Sequence, residues 1–441
     1  MTGARKITLW GAIGIGVGSM LGAGVFSGMW ADVLGAGRWY LAAVLVAAGV
    51  ALANALSTAQ LAAAYPVAGG AYAYGRAELG RTAGHVAGAA FVVGKTVSVA
   101  VAATVLGAYV LPGHPQWVAT AAIAAAWALN SRGITRTAWG ATVIAVVVVA
   151  VLVVLVGMSL GGPHTMGWFD VPEPDLLGAA HGTGTDGTGS DSGVGAFLVA
   201  AAAAFFAFAG YARIATLGEE VRSPERTIPQ AIVAALAIVV VLYLALAVAL
   251  HAWVVPASGG SAADMRLEEA PLQSLADAVG MPVWMVTGAA VLSIGGAMLA
   301  VLAGAGRTAM AMAREGDLPR MLAAQGAGGA PWKAEGVIAI SATALVWTQG
   351  VALILVSVAS ILTYYAVANL AAIRQRRVGR TSTLRVPVAV SVAGLGASVV
   401  LAVVALGSAG TSVWPTIVVM VLVLGWPVSA ALLRGSREPQ R

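Results

Sequence analysis

Long apolar stretches, separated by short polar or charged segments, run through almost the whole chain. A helix that crosses a bilayer needs about 20 mostly apolar residues, and twelve stretches reach or approach that length. The pattern predicts spans near Ile7–Val33, Trp39–Ala64, Ala83–Leu111, Gln116–Leu129, Ala138–Leu160 and Val194–Leu217. Six more follow near Pro229–Val254, Met281–Met312, Gly336–Trp347, Leu353–Ile373, Val386–Gly407 and Val413–Leu433. The fourth and ninth are short. The first is too long for a signal peptide and lacks a small-residue cleavage pattern, so it is expected to remain as a span. Gly178–Gly193 is a Gly/Thr/Ser/Asp tract, expected as a flexible outer loop. Pro271–Gly280 is expected as a short amphipathic outer helix.

Composition narrows the class. Of 441 residues, 59% are apolar and 10% charged, against about 25% charged in soluble proteins. So few charges cannot cover a water-facing surface. There is no Cys, which excludes disulfides, thiolate metal sites, a Cys nucleophile and a disulfide-linked partner subunit. With the N-terminus placed in the cytoplasm, 20 of the 24 Lys and Arg residues fall on cytoplasmic segments or at that edge. This follows the positive-inside rule and predicts a multi-pass protein of the cytoplasmic membrane with both termini inside. The net charge of +6 is that asymmetry and implies no nucleic-acid partner. The basic cluster Arg374–Arg385 is expected to face anionic lipid headgroups.

Two spans carry signs of a break. The first reads GAIGIGVGSMLGAGVF from Gly11 to Phe26. Each glycine costs roughly 1 kcal/mol relative to Ala in a helix interior, so this density marks unwinding or close packing. A bulky residue at Gly24 is expected to block approach to the backbone. The sixth span reads FFAFAGYARIATLGEEV from Phe205 to Val221, with Gly210 mid-span. The two lie five spans apart and so run in opposite directions. Broken helices at equivalent places in inverted halves point to the substrate site of a secondary transporter. Freed amides suit a carboxylate, and freed carbonyls suit an ammonium.

At these residues the chain resembles amino-acid permeases of the amino acid–polyamine–organocation superfamily. The resemblance rests on Gly22-Ala23-Gly24-Val25-Phe26 and on Tyr65-Pro66-Val67-Ala68-Gly69-Gly70-Ala71-Tyr72. Phe206-Ala207-Phe208-Ala209-Gly210-Tyr211, followed by Glu219-Glu220-Val221-Arg222-Ser223-Pro224-Glu225-Arg226-Thr227-Ile228-Pro229, forms the long third motif. Gly306-Arg307-Thr308, Ala313-Arg314-Glu315-Gly316-Asp317-Leu318-Pro319 and Tyr364-Tyr365-Ala366-Val367-Ala368-Asn369-Leu370 complete it. The resemblance implies an all-α membrane protein of twelve helices. Its core would be a five-plus-five inverted repeat (LeuT-like) with broken helices one and six and two appended helices. The repeats would be residues 1–161 and 194–375, joined by the loop 162–193 and followed by 376–441.

The resemblance also implies roles. Gly22, Ala23 and Gly24 would offer amides to a substrate carboxylate. Ser19 and the Met20 carbonyl would sit beside its ammonium, completed by the Ala207 and Ala209 carbonyls, and Phe206 would close over the substrate. Glu219 and Glu220 would tie the end of span six to nearby Arg residues. Many relatives carry an acidic residue two places after the span-six glycine. Here Ala212 stands there, which disfavours cationic substrates. The implied function is an amino-acid transporter working by alternating access without a cofactor.

No Asp or Glu lies deep in a predicted span, and Leu292–Gly306 offers only Ser293 as a hydroxyl, which argues against sodium coupling. Lys95 is twelve residues into span three, roughly 18 Å deep, and an ionisable residue there is a functional candidate. It can carry a proton, stand in for a bound cation or attract a carboxylate, so proton coupling or exchange is expected. Alternatives are a polyamine or organic-cation exchanger of the same fold, a channel, or an intramembrane enzyme. The last would need a deep polar cluster, whereas His85, His114, His164, His181 and His251 lie near span ends or in loops.

Overall fold

A computed structural model describes residues 7–65, 69–132, 138–161, 193–215, 221–257, 270–326, 329–348, 353–378 and 384–410, with 414, 420–421 and 424–426. The Gly/Thr/Ser/Asp tract, Glu219, Glu220 and most of the twelfth predicted span lie outside the described residues.

The described chain is almost entirely helical. The first predicted span is three pieces, α1 (Leu9–Met20), α2 (Ala23–Phe26) and α3 (Met29–Leu34). Thr8 caps α1, its side chain accepting from the Gly11 amide at 3.3 Å. Next come α4 (Tyr40–Ala64), α5 (Ala71–Leu79), α6 (Arg81–Val110), α7 (Pro115–Ser131) and α8 (Ala138–Leu160). The second half holds α9 (Gly193–Phe208), α10 (Ala212–Ala215), α11 (Pro224–Ala257), α12 (Pro271–Ala278) and α13 (Val283–Arg314). It ends with α14 (Trp332–Thr348), α15 (Leu353–Arg377) and α16 (Val388–Ser408).

Among the described residues, nine helical stretches are long and apolar enough to cross a membrane. The predicted short spans are α7 and α14, 17 residues each, about 26 Å at 1.5 Å per residue. They pack together. Trp127 Nε1 donates to the Trp332 carbonyl at 3.0 Å, and Trp347 Nε1 donates to Thr120 Oγ1 at 3.1 Å.

Helices α6 and α15 form the centre, with 89% and 78% of their apolar windows buried, whereas α8 and α16 are peripheral at 33% each. A polar seam fixes α16 to this centre through one face of α4. Asn369 Nδ2 and Ser398 Oγ donate to Asn54 Oδ1, and Ser57 pairs with Ser391 at 2.9 Å. Gln60 bonds Gln375 at 2.8 Å and accepts from the Val386 amide at 3.0 Å. Side-chain hydrogen bonds suit an apolar bundle, where packed helices gain no hydrophobic drive from lipid.

Two contacts tie segments that are distant in sequence. Asp317, fully buried just after α13, accepts from Tyr72 at 2.9 Å, from Arg76 at 3.0 Å and from two nitrogens of Arg81 at 2.9 and 3.1 Å. Burial, then the Asp317 hydrogen bond, pushes the Tyr72 phenol well above its usual range, so it remains a donor. Elsewhere, Ile7 forms an isolated parallel bridge with Val221, and the Arg222 amide donates to the Ile7 carbonyl at 3.0 Å.

Candidate functional site

The first break follows Met20. Leu21 caps α1, Gly22 leaves helical geometry (φ −61°, ψ −143°), and α2 restarts at Ala23. The opening amides of a restarted helix have no preceding carbonyl to bond. The second interruption differs from the expected unwinding. After Phe208 the chain tightens into a 3₁₀ turn, Ala209–Tyr211, and resumes as α10. Such a turn still shifts carbonyls out of α-helical register.

The two interruptions are seated on each other. A β-carbon on Gly24 would collide with the Ala207 Cα, and one on Gly210 with the Ser19 carbonyl oxygen. The space that a larger side chain at Gly24 would invade is already occupied by the backbone of the sixth span, so helix contact alone requires the glycine.

Carbonyls at the breaks find donors on neighbouring helices. Tyr243 of α11 donates its hydroxyl to the Met20 carbonyl at 2.7 Å and lies 3.3 Å from the Ala207 carbonyl. Ser293 of α13 donates to the Leu21 carbonyl at 2.6 Å. Sequence reasoning missed Tyr243, which bridges both breaks. It assigned the Met20 and Ala207 carbonyls to a ligand ammonium, and in the structure both already face a hydroxyl. Each carbonyl keeps a second lone pair.

Beside this bridge lies a cavity of about 60 Å³. Every expected binding residue lines it: Ser19, Met20, Gly22, Ala23 and Gly24 from the first break, and Phe206, Ala207 and Ala209 from the second. Gly210 adds to the second wall. Helix α6 contributes Lys95 and Ser98, with Val99 and Ala102, and α13 contributes Ala297, Met298 and Val301. Ser98 stands three residues after Lys95, on the same helical face, a spacing that could have flagged it. The α13 residues carry no distinguishing chemistry in sequence.

Lys95 is 8% exposed. Its ammonium makes no ion pair among the described residues, and the Phe91 ring lies 5.8 Å away, near the outer limit of a cation–π contact. The Ser19 hydroxyl donates to the Ile15 carbonyl at 2.7 Å, and Ser98 donates to the Gly94 carbonyl at 2.9 Å while pairing with Ser357 at 2.7 Å. No group of three His, Asp or Glu residues among the described residues is placed to hold a metal ion.

Known proteins share this chain's sequence pattern. An uncharacterized transporter of Mycobacterium tuberculosis is 39% identical over 375 residues, 84% of this chain and 80% of the relative. Cationic amino acid transporter 5 of Arabidopsis thaliana is 27% identical over 270 residues, 56% of this chain and 44% of the relative. The methylthioribose transporter of Bacillus subtilis is 29% identical over 133 residues, 30% of this chain and 27% of the relative. The amino acid permease family matches residues 7–426. With both breaks, the cavity between them and a family match over nearly the whole chain, this protein belongs to the amino acid permease family of membrane transporters and is not an enzyme.

Proposed function

We propose that the protein is a secondary active transporter that moves amino acids across the cytoplasmic membrane by alternating access. It works without sodium or a bound cofactor, by proton coupling or exchange. The observation that carries this reading is the single cavity shared by all eight expected binding residues and Lys95. In this reading the amides of Gly22, Ala23 and Gly24 hold the substrate carboxylate. Ser19 and the carbonyls of Met20, Ala207 and Ala209 receive its ammonium, and Phe206 closes the pocket.

The architecture of the proposal is twelve spans with both termini cytoplasmic. The inverted repeats are residues 1–161 and 194–375, with residues 376–441 appended. Supporting it, the paired breaks and the paired short helices α7 and α14 each join one element from either half. The amino acid in the name of the Arabidopsis relative supports the substrate class. Its cationic preference does not carry over, because no Asp or Glu among the described residues lines this cavity.

Uptake by purified protein in liposomes, against a panel of amino acids with and without proton and sodium gradients, tests the reading. Accumulation that needs sodium, or conductance that never saturates, would overturn it. Lys95 is the coupling residue of the proposal. Lys95→Met and Lys95→Gln should impair uptake and flatten its pH dependence. Lys95→Arg should keep exchange but lose pH-driven accumulation, since Arg does not release its proton in proteins. Wild-type rate and pH profile in Lys95→Met would remove Lys95 from coupling.

A further inference from the structure

Among the described residues, the cavity between the two interruptions is lined by one formally charged side chain, and that charge is positive. Lys95 is buried to more than nine-tenths, it lines the cavity, and it has no ion-pair partner among the described residues. A lone ammonium inside a membrane protein is costly until a counter-charge reaches it. The other hydroxyls on the wall do not compete for the role of donor, since Ser19 and Ser98 direct their protons to the Ile15 and Gly94 carbonyls. Lys95 has three N–H donors, and no hydrogen bond from them is seen among the described residues.

The charge sum then selects among amino acids. A neutral amino acid enters as a zwitterion and leaves the cavity with its excess positive charge. A cationic one doubles that excess. An amino acid with an acidic side chain carries one net negative charge and brings the sum to zero. Resting on the transport reading above, we propose that the site takes acidic amino acids, with the side-chain carboxylate on Lys95 Nζ and the α-amino and α-carboxyl groups on the two breaks.

The test is competition for labelled aspartate in counterflow by the full-length protein in liposomes. Ligand-induced rises in the thermal midpoint of detergent-purified protein serve as a readout that needs no turnover. Aspartate and glutamate should outcompete the near-isosteric asparagine and glutamine by about tenfold or more, and lysine and arginine should not compete. Lys95→Met should weaken aspartate by about thirtyfold or more, as expected on removing one partner of a desolvated charge pair. In the thermal-midpoint readout, which needs no turnover, the preference for aspartate over asparagine should fall to near one in the same variant. Lys95→Arg should retain the acidic preference. Wild-type protein that favours asparagine over aspartate would overturn the inference, even if no variant folds. Equal losses for all ligands in Lys95→Met would also overturn it, since Lys95 would then be reading a group common to every amino acid. If no amino acid of any class competes or stabilises, the transport reading itself fails, and this inference with it.

Discussion

Gly24 and Gly210 each stand where a single methyl group would enter the backbone of the other broken span. Overpacking a tight contact typically costs about 1–3 kcal/mol, and here the obstacle is main chain that cannot rotate away. Gly210→Ala is therefore expected to lower the thermal midpoint of the purified protein and abolish uptake. Gly295→Ala on α13 is the control, because a β-carbon there meets nothing within 4 Å. It should be neutral or slightly stabilising, since Ala is favoured over Gly in a helix. A tolerated Gly210→Ala would mean that the two breaks separate easily. Tyr243→Phe removes the hydroxyl shared by the Met20 and Ala207 carbonyls, a loss of about 1–3 kcal/mol for buried groups left unpaired. Folded protein with slowed counterflow is the expected outcome, and unchanged kinetics would reduce Tyr243 to packing. The glycines were legible in the sequence because each is expensive in a helix. Tyr243 was not, because one Tyr in an apolar run gives no spacing signal, and its partner Met20 lies 223 residues away.

At the level of elements, the first break was readable from glycine density, whereas its direct seating on the second motif is seen only in the packing. The geometry of the second break was not readable either. Tightening at Ala209–Tyr211, in place of unwinding, is set by how Gly210 seats on Ser19, a contact that local composition does not encode. The motif ending at Asp317 was visible too, but not its role. The carboxylate joins α13 to α5 and α6 through residues 236 to 245 positions away, and sequence spacing carries no trace of such partners. Asp317→Asn keeps the shape and removes the charge. It should cost about 1.5–3 kcal/mol, the range for hydrogen bonds to charged groups, and is expected to lower the thermal midpoint by several degrees. Arg76 and Arg81 are partly exposed, with side-chain exposures of 29% and 59%, and can turn to solvent, which holds the loss to that range. A midpoint equal to wild type would show that the Arg residues contribute nothing measurable there.

For the whole molecule, hydropathy revealed the helices and their order, while which faces meet lipid emerged only from packing. The outward residues of α8 and α16 are mostly Val, among them Val146 at 63% and Val403 at 64% exposure. Because α8 is apolar all round, its sequence marks no inner stripe. The chain has no Cys, so a single introduced thiol reports alone. Val146→Cys and Val403→Cys in membranes should react with a lipid-soluble maleimide and resist a charged one. Rapid labelling by the charged reagent would place those faces in water. The polar seam along α4 explains how a peripheral helix such as α16 stays attached without burying much apolar surface.

The bridge between Ile7 and Val221 has a mechanical consequence. It joins Ile7, just before α1, to Val221, beyond α10, so two positions flanking the broken spans are fastened to each other. A swing of α1 away from the bundle must carry residue 221 with it or else shear the bridge. Movement of the first half-span is thereby geared to residue 221, a constraint that the chain's topology alone does not impose.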